Sequence, residues 1–183
     1  MDFTEKTVGS KVIFSGKIIN VQVDTVRLPN GRESTREIVK HAEAVAVVAL
    51  DNDNNIYLVK QYRKPVEETL LEIPAGILEP NEELITCAYR ELEEETGLKA
   101  SKMEKLLSFY SAPGFTDEKI TIYLATELTK GEINFDEDEL LETLKMPLID
   151  AFNLINSGLI IDAKSIIGIQ SLYNKIKIID EKE

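Results

Sequence analysis

The chain has 183 residues, 43% of them hydrophobic, with 21 Lys and Arg against 33 Asp and Glu for a net charge of −12. That length and apolar content suit one main domain with a real core plus a small appendage, and the acidic balance excludes a nucleic-acid groove, which needs a basic surface. No run reaches the ~18 apolar residues of a membrane span and the N-terminal MDFTEKTVGSKVIFSG lacks an apolar core of signal-peptide length, so no membrane partner and a cytoplasmic location are expected.

Strands are predicted over 11–14, 17–28 and 34–40, with Pro29-Asn30-Gly31 between the last two. Asn-Gly between alternating segments is a strong hairpin signal. So small an antiparallel unit buries little alone. Residues 1–42 are therefore expected to form a separate β unit that packs either on the main domain, 43–183, or on a second copy of the chain. Apolar runs at 44–50 and 56–62 read as strands joined by Asp51-Asn52-Asp53-Asn54-Asn55, which has turn composition. The pentad lacks the Gly and terminal Glu of a calcium loop.

A helix is predicted over 83–96, where Leu84, Ala88 and Leu92 recur every fourth residue and Gly97 follows as a stop. Strands at 105–111 and 120–128 flank a loop at 112–118. The acidic segment Asn134-Phe135-Asp136-Glu137-Asp138-Glu139 precedes a strand near 140–144, and helices follow at 148–157 and 163–178. Strands and helices mixed in this way, with sheet faces to cover, point to an α/β/α sandwich. Cys87, alone of its kind, lies beside Ala88 in the predicted helix and reads as a packed residue rather than a nucleophile. His41, also single, reads as structural.

On the 83–96 helix, Glu91, Glu94 and Glu95 fall at i, i+3 and i+4, so their carboxylates share one surface in the last two turns. Like charges at that spacing repel by roughly 0.2–0.5 kcal/mol per pair, and acids in a last turn oppose the helix dipole by about 0.3–1 kcal/mol each. A hard divalent cation removes both penalties, and Mg²⁺ typically takes one or two carboxylates while leaving positions for water and phosphate. The alternative is a solvated acidic face steadied by Arg90.

The wider run decides between them. Gly76, five residues, Glu82, seven residues and then Arg90-Glu91-Leu92-Glu93-Glu94-Glu95-Thr96-Gly97-Leu98 match every specified position of the Nudix box, so the chain resembles the Nudix hydrolase superfamily. The resemblance implies a Nudix α/β/α sandwich whose loop-helix-loop holds Mg²⁺ or Mn²⁺ against a diphosphate. It makes Glu91 and Glu95 the main ligands, with Glu94 assisting and the Ala75 carbonyl completing the shell, and it pairs Glu82 with Arg90.

Outside the box, Ser111-Ala112-Pro113-Gly114-Phe115-Thr116-Asp117-Glu118, with Pro113 sixteen residues beyond Gly97, is similar to an element of the ADP-ribose pyrophosphatases, although the serine stands one residue early. Gln61-Tyr62-Arg63 and Leu71-Glu72-Ile73-Pro74-Ala75-Gly76 resemble the same subfamily. The likeness implies hydrolysis of ADP-ribose to AMP and ribose 5-phosphate, with Arg63, Glu72, Pro113 and Gly114 binding substrate. A guanidinium suits the diphosphate because it can bond two phosphate oxygens at once. The resemblance also implies a homodimer with shared sites, in which Arg36 holds the adenosine end. It places the catalytic base on a loop after the box, where Glu139 is the best match and Glu137 the second, acting with Glu91 and Glu95.

Overall fold

A computed structural model describes residues 2–131 and 140–180, which form ten strands and three helices. Two compact units result, one of Met1–Glu43 with Phe109–Lys119, the other of Ala44–Ser108 with Ile120–Glu183.

In the first unit β1 (Lys6–Ser15), β2 (Ile19–Arg27) and β3 (Glu33–His41) make an antiparallel sheet in the order β1-β2-β3. The predicted Asn-Gly turn joins β2 to β3. Gly31 takes φ +84°, open to a residue without Cβ, and its N–H donates to the Leu28 carbonyl at 2.8 Å. Strand β1 begins earlier than its alternation suggests, because irregularities in its pairing at Thr7/Gly9 and Val12/Phe14 break the two-residue rhythm. All ten of its residues are exposed. The 112–117 loop lies along β3, with the Val39 N–H donating to the Phe115 carbonyl at 2.8 Å and Asp117 accepting from Lys40 Nζ at 2.8 Å and the His41 N–H at 3.0 Å. The His41 ring turns to its own neighbour, with Nδ1 2.7 Å from the Ala42 carbonyl.

The second unit is a mixed sheet of β4 (Ala44–Leu50), β5 (Asn55–Arg63), β6 (Glu68–Glu72), β7 (Ala75–Ile77), β8 (Leu98–Tyr110), β9 (Lys119–Lys130) and β10 (Leu141–Pro147). Its order is β10-β5-β4-β9-β8, with β6 beside β5 and β7 beside β4. Strand β4 runs parallel to β9 and antiparallel to β5 and β7. Ala44 through Ala49 are all buried, as a continuous apolar run requires when both sheet faces are covered. Val45, Val47 and Ala49 pack with Cys87, Ala88 and Leu92 of α1 (Leu84–Thr96). The alternate face meets α3 (Ala163–Asp180), where a Cβ on Gly168 would stand 2.9 Å from Val48 Cγ2 and 3.0 Å from Ile73 Cδ1. A third helix, α2 (Leu148–Asn156), joins α3 through stacked Phe152 and Tyr173 rings 4.1 Å apart. Helices thus cover both sides, and this unit is the predicted α/β/α sandwich.

Two details differ from the sequence reading. Strands β6 and β7 were not anticipated, since they are short and separated by Pro74, which cannot donate to a ladder. Strand β8 starts directly after Gly97, in a lysine-rich stretch with little alternation. The Asp51 turn consumes its own acid, because Asp51 Oδ1 accepts from the Asp53 and Asn55 N–H groups at 2.9 Å and Oδ2 pairs with Lys145 at 2.6 Å. Burial opposes the Asp51 charge, but Lys145 and these amides outweigh it and hold the carboxyl down at about 2. No helix among the described residues is long and apolar enough to cross a membrane.

Candidate active site

The box folds as β7, a turn and α1. Gly97 ends the helix in the left-handed region at φ 67°, its N–H donating to the Glu93 carbonyl at 2.8 Å, the C-cap geometry glycine favours. At the other end Glu83 has extended backbone and no side-chain cap. The helix entry is steadied from outside, by Glu82 Oε2 accepting the Glu79 N–H at 3.0 Å and by Arg90.

Arg90 organises the acids. Its Nε and Nη2 donate to the two Glu82 oxygens at 2.9 Å each, while Nη1 donates to Glu91 at 2.7 Å and Glu94 at 2.9 Å. Paired with Arg90, the Glu82 carboxyl falls to about 2, and the guanidinium holds its proton more tightly than an ordinary arginine. Cys87 lies within this set, 3.2 Å from Arg90 Nη2, and burial pushes its thiol up to about 12. A thiol so buried and so far from ionised is no nucleophile.

Glu91 and Glu95 turn to β7 and are buried, at 9% and 3% exposure. Glu95 Oε2 accepts the Ala75 N–H at 3.0 Å. The Glu91 carboxylate sits so close to Gly76 that a Cβ there would stand 1.8 Å from Oε1, so any larger residue would push the carboxylate from this seat. Ala75, Gly76, Glu91 and Glu95 are therefore brought together, with Glu94 joined to them through Arg90. Among the described residues no three acidic, histidine or cysteine side chains converge on one point. The donor chemistry nevertheless fits a hard divalent cation, since carboxylate oxygens are what Mg²⁺ takes, and two of them are held at the cleft that Gly76 leaves.

A cationic group adjoins this helix. The β5–β6 register sets Val59 opposite Glu72 and Arg63 opposite Glu68, which puts Arg63 and Glu72 on one sheet face. Arg63 Nε and Nη2 bind the two Glu72 oxygens at 2.8 Å each. Lys164 Nζ joins Glu72 Oε2 as well and lies 3.1 Å from Asp162. Glu72 is 1% exposed; burial opposes its charge, but Arg63 and Lys164 prevail and its pKa falls below the usual carboxylate value. The Arg63 pKa is raised, first by its bond to Glu72 against burial, and further by the charges of Glu95 and Asp162. Arg63 is thus within electrostatic reach of the carboxylates on α1.

The remaining sites divide. Arg36, Pro113 and Gly114 line one cleft of about 400 Å³ in the first unit, together with Lys40, Phe115 and Asp117. Arg36 pairs there with Glu5, its Nε donating at 2.8 Å. Glu137 and Glu139 lie outside the described residues. Lys164 and Ser165 escaped the sequence reading, since Glu72 and Ile73 stand 92 residues away from them; Asp162 escaped it too, although an aspartate just before a helix is a local N-cap signal.

A mixed sandwich carrying an acid-bearing loop-helix-loop of this form defines a class before any comparison is made. Residues 40–164 match the NUDIX domain, and the chain belongs to that family. Residues 5–39 match the nucleoside diphosphate sugar hydrolase N-terminal domain. The chain is 49% identical to an ADP-ribose pyrophosphatase of Bacillus subtilis (93% of this chain, 94% of that one) and 48% identical to a methanol dehydrogenase activator of Bacillus methanolicus (93% of each). Among solved structures, a crystal structure of an ADP compounds hydrolase shares the fold, with a TM-score of 0.87 over 97% of both chains at 22% identity.

The Glu82 shift predicts an acid-dependent contribution to stability. Its folded carboxyl lies at about 2, well below the 4.5 of a free glutamate, so the Arg90 pair stabilises the fold above the unfolded value and is lost as pH falls through about 2. Replacing Glu82 with Gln should cost about 1.5–3 kcal/mol at neutral pH. In urea unfolding the gap from wild type should narrow as pH drops below the unfolded value; a gap that stays constant would remove Glu82 as its source.

Proposed function

We propose that the protein is a divalent-metal-dependent hydrolase that cleaves the diphosphate of ADP-ribose into AMP and ribose 5-phosphate. The observation carrying this reading is the seating of Glu91 against Gly76, with Glu95 on the Ala75 amide, in a chain 49% identical to an ADP-ribose pyrophosphatase. Glu91, Glu95, Glu94 and the Ala75 carbonyl would hold Mg²⁺, with Mn²⁺ the alternative. Bound there, the cation neutralises phosphate charge and acidifies the attacking water.

The chain's own residues supply the rest. Two of the five Arg63 N–H groups go to Glu72 and the side chain keeps 38% exposure, which leaves donors for the diphosphate. Glu72 serves the substrate by fixing Arg63. Pro113 and Gly114 add substrate contacts, Arg36 of a second copy of the chain holds the adenosine end, and Glu139, with Glu137 second, accepts the proton of the attacking water. Another nucleoside diphosphate sugar or a dinucleotide is the second reading, supported by the match of residues 5–39 to a nucleoside diphosphate sugar hydrolase N-terminal domain. A module that binds ADP-ribose without cleaving it has no need of the complete Glu91, Glu94 and Glu95 set.

We place a homodimer contact on β1. Among the described residues β1 pairs with β2 alone, and its Val12, Ile13 and Phe14 are 65%, 55% and 54% exposed. An unpaired edge carrying large apolar side chains is a template for a second strand.

AMP release from ADP-ribose, NADH, ADP-glucose and GDP-mannose, measured side by side with Mg²⁺, should be fastest for ADP-ribose; cleavage of none of them would end the hydrolase reading. Glu95→Gln, which removes a carboxylate ligand at unchanged shape, and Gly76→Ala, whose Cβ would displace Glu91 by ~1 Å, should each lower kcat by about 10²-fold or more. Turnover near wild type in either would take the helix out of the mechanism. Sedimentation should give a dimer that Ile13→Lys dissociates, and a stable wild-type monomer would contradict the contact.

A further inference from the structure

The strongest unassigned feature is the N-terminus of α3, locked to the end of β6. Asp162 caps the helix, its Oδ2 accepting the Ser165 N–H at 3.0 Å and the Ser165 hydroxyl at 2.5 Å. Ser165 Oγ in turn accepts the Ile73 N–H at 2.8 Å, so the helix end is tied to the residue beside Glu72. Between these two bonds Lys164, with its side chain only 12% exposed, pairs with both Glu72 and Asp162. A buried ammonium is costly unless paired, and here two carboxylates hold it in one place.

Its effect falls on Arg63. Glu72 Oε2 receives both Arg63 Nη2 and Lys164 Nζ, so a single carboxylate is shared by two cations. Alone with Glu72, Arg63 would form a neutral pair and attract an anion weakly. With Lys164 also on Glu72, the carboxylate is already balanced and the guanidinium keeps its positive charge for a ligand. The Asp162 charge that offsets Lys164 is itself met by the α3 N-terminus, where backbone N–H groups favour an anion.

We propose that Lys164 is a positioning residue for diphosphate binding, acting through Glu72 to keep Arg63 both oriented and electrostatically available. The proposal rests on Arg63 holding the diphosphate, as assigned above.

The test is a double-mutant cycle read by calorimetric binding of inorganic pyrophosphate in Mg²⁺ buffer, alongside steady-state kinetics with ADP-ribose. Lys164→Met should weaken pyrophosphate about tenfold, roughly the loss of one charge-assisted hydrogen bond from an Arg63 no longer held in place. It should raise KM with kcat little changed, and Lys164→Arg should restore both. In an Arg63→Met background the same change should have less than about a twofold effect, since coupled residues are non-additive. Lys164→Gln, which keeps a donor toward Glu72 but no charge, serves if Lys164→Met does not fold. Unchanged affinity in Lys164→Met, or an equal loss with and without Arg63, would overturn the proposal. If Arg63→Met itself leaves pyrophosphate binding intact, the assignment of Arg63 falls and this inference falls with it, whereas AMP release by the wild type would still support the hydrolase.

Discussion

The guanidinium of Arg90 is the interaction on which the acid-bearing helix depends. Four carboxyl-bearing residues crowd α1 between Glu91 and Glu95, and their repulsion with the unfavourable helix-end field would work against the last turns. Arg90 reaches Glu82, Glu91 and Glu94 at once, so one cation both neutralises part of the helix surface and ties it to the preceding turn. This frees Glu91 and Glu95 to turn toward β7 rather than splay into solvent. The close approach of Gly76 to Glu91 then follows from strand and helix being held at that separation.

A second charge network repeats this logic on the neighbouring edge of the same sheet. Glu72, almost wholly buried, is retained because Arg63 and Lys164 together satisfy both its oxygens. Both networks use a fixed cation to hold carboxylates in a defined geometry. Stripping one partner from such a buried pair costs far more than the pair gains over apolar packing. Their value therefore lies in arrangement more than in stability.

Much of this was legible before any coordinates. The 44–50 run read as a strand and is one, Asn30-Gly31 marked the β2–β3 hairpin, and the Leu84, Ala88 and Leu92 spacing located α1 with Gly97 as its end. Short-range chemistry governs these features, so short-range patterns reveal them. The brief β6 and β7 strands exist through their partners β5 and β4, and neither has enough residues to show a period. In the site, Glu91, Glu94 and Glu95 were visible as a helical cluster. The pairing of Arg63 with Glu72 and the presence of Lys164 arise only when distant segments meet, and a lone lysine after an aspartate has no signature of its own.

The junction at Gly97 has a consequence for how the carboxylates respond to a ligand. Helix ends ordinarily fray, because their last carbonyls lack partners. Here the Gly97 carbonyl accepts the Gly131 N–H at 2.7 Å, the Glu95 carbonyl takes the Thr143 hydroxyl at 3.0 Å, and β8 begins at the next residue. The final turn of α1 is thereby stitched into the sheet, and the chain bearing Glu94 and Glu95 has little freedom left to surrender. A ligand arriving there meets a rigid template, and the ordering entropy of binding was spent when the protein folded.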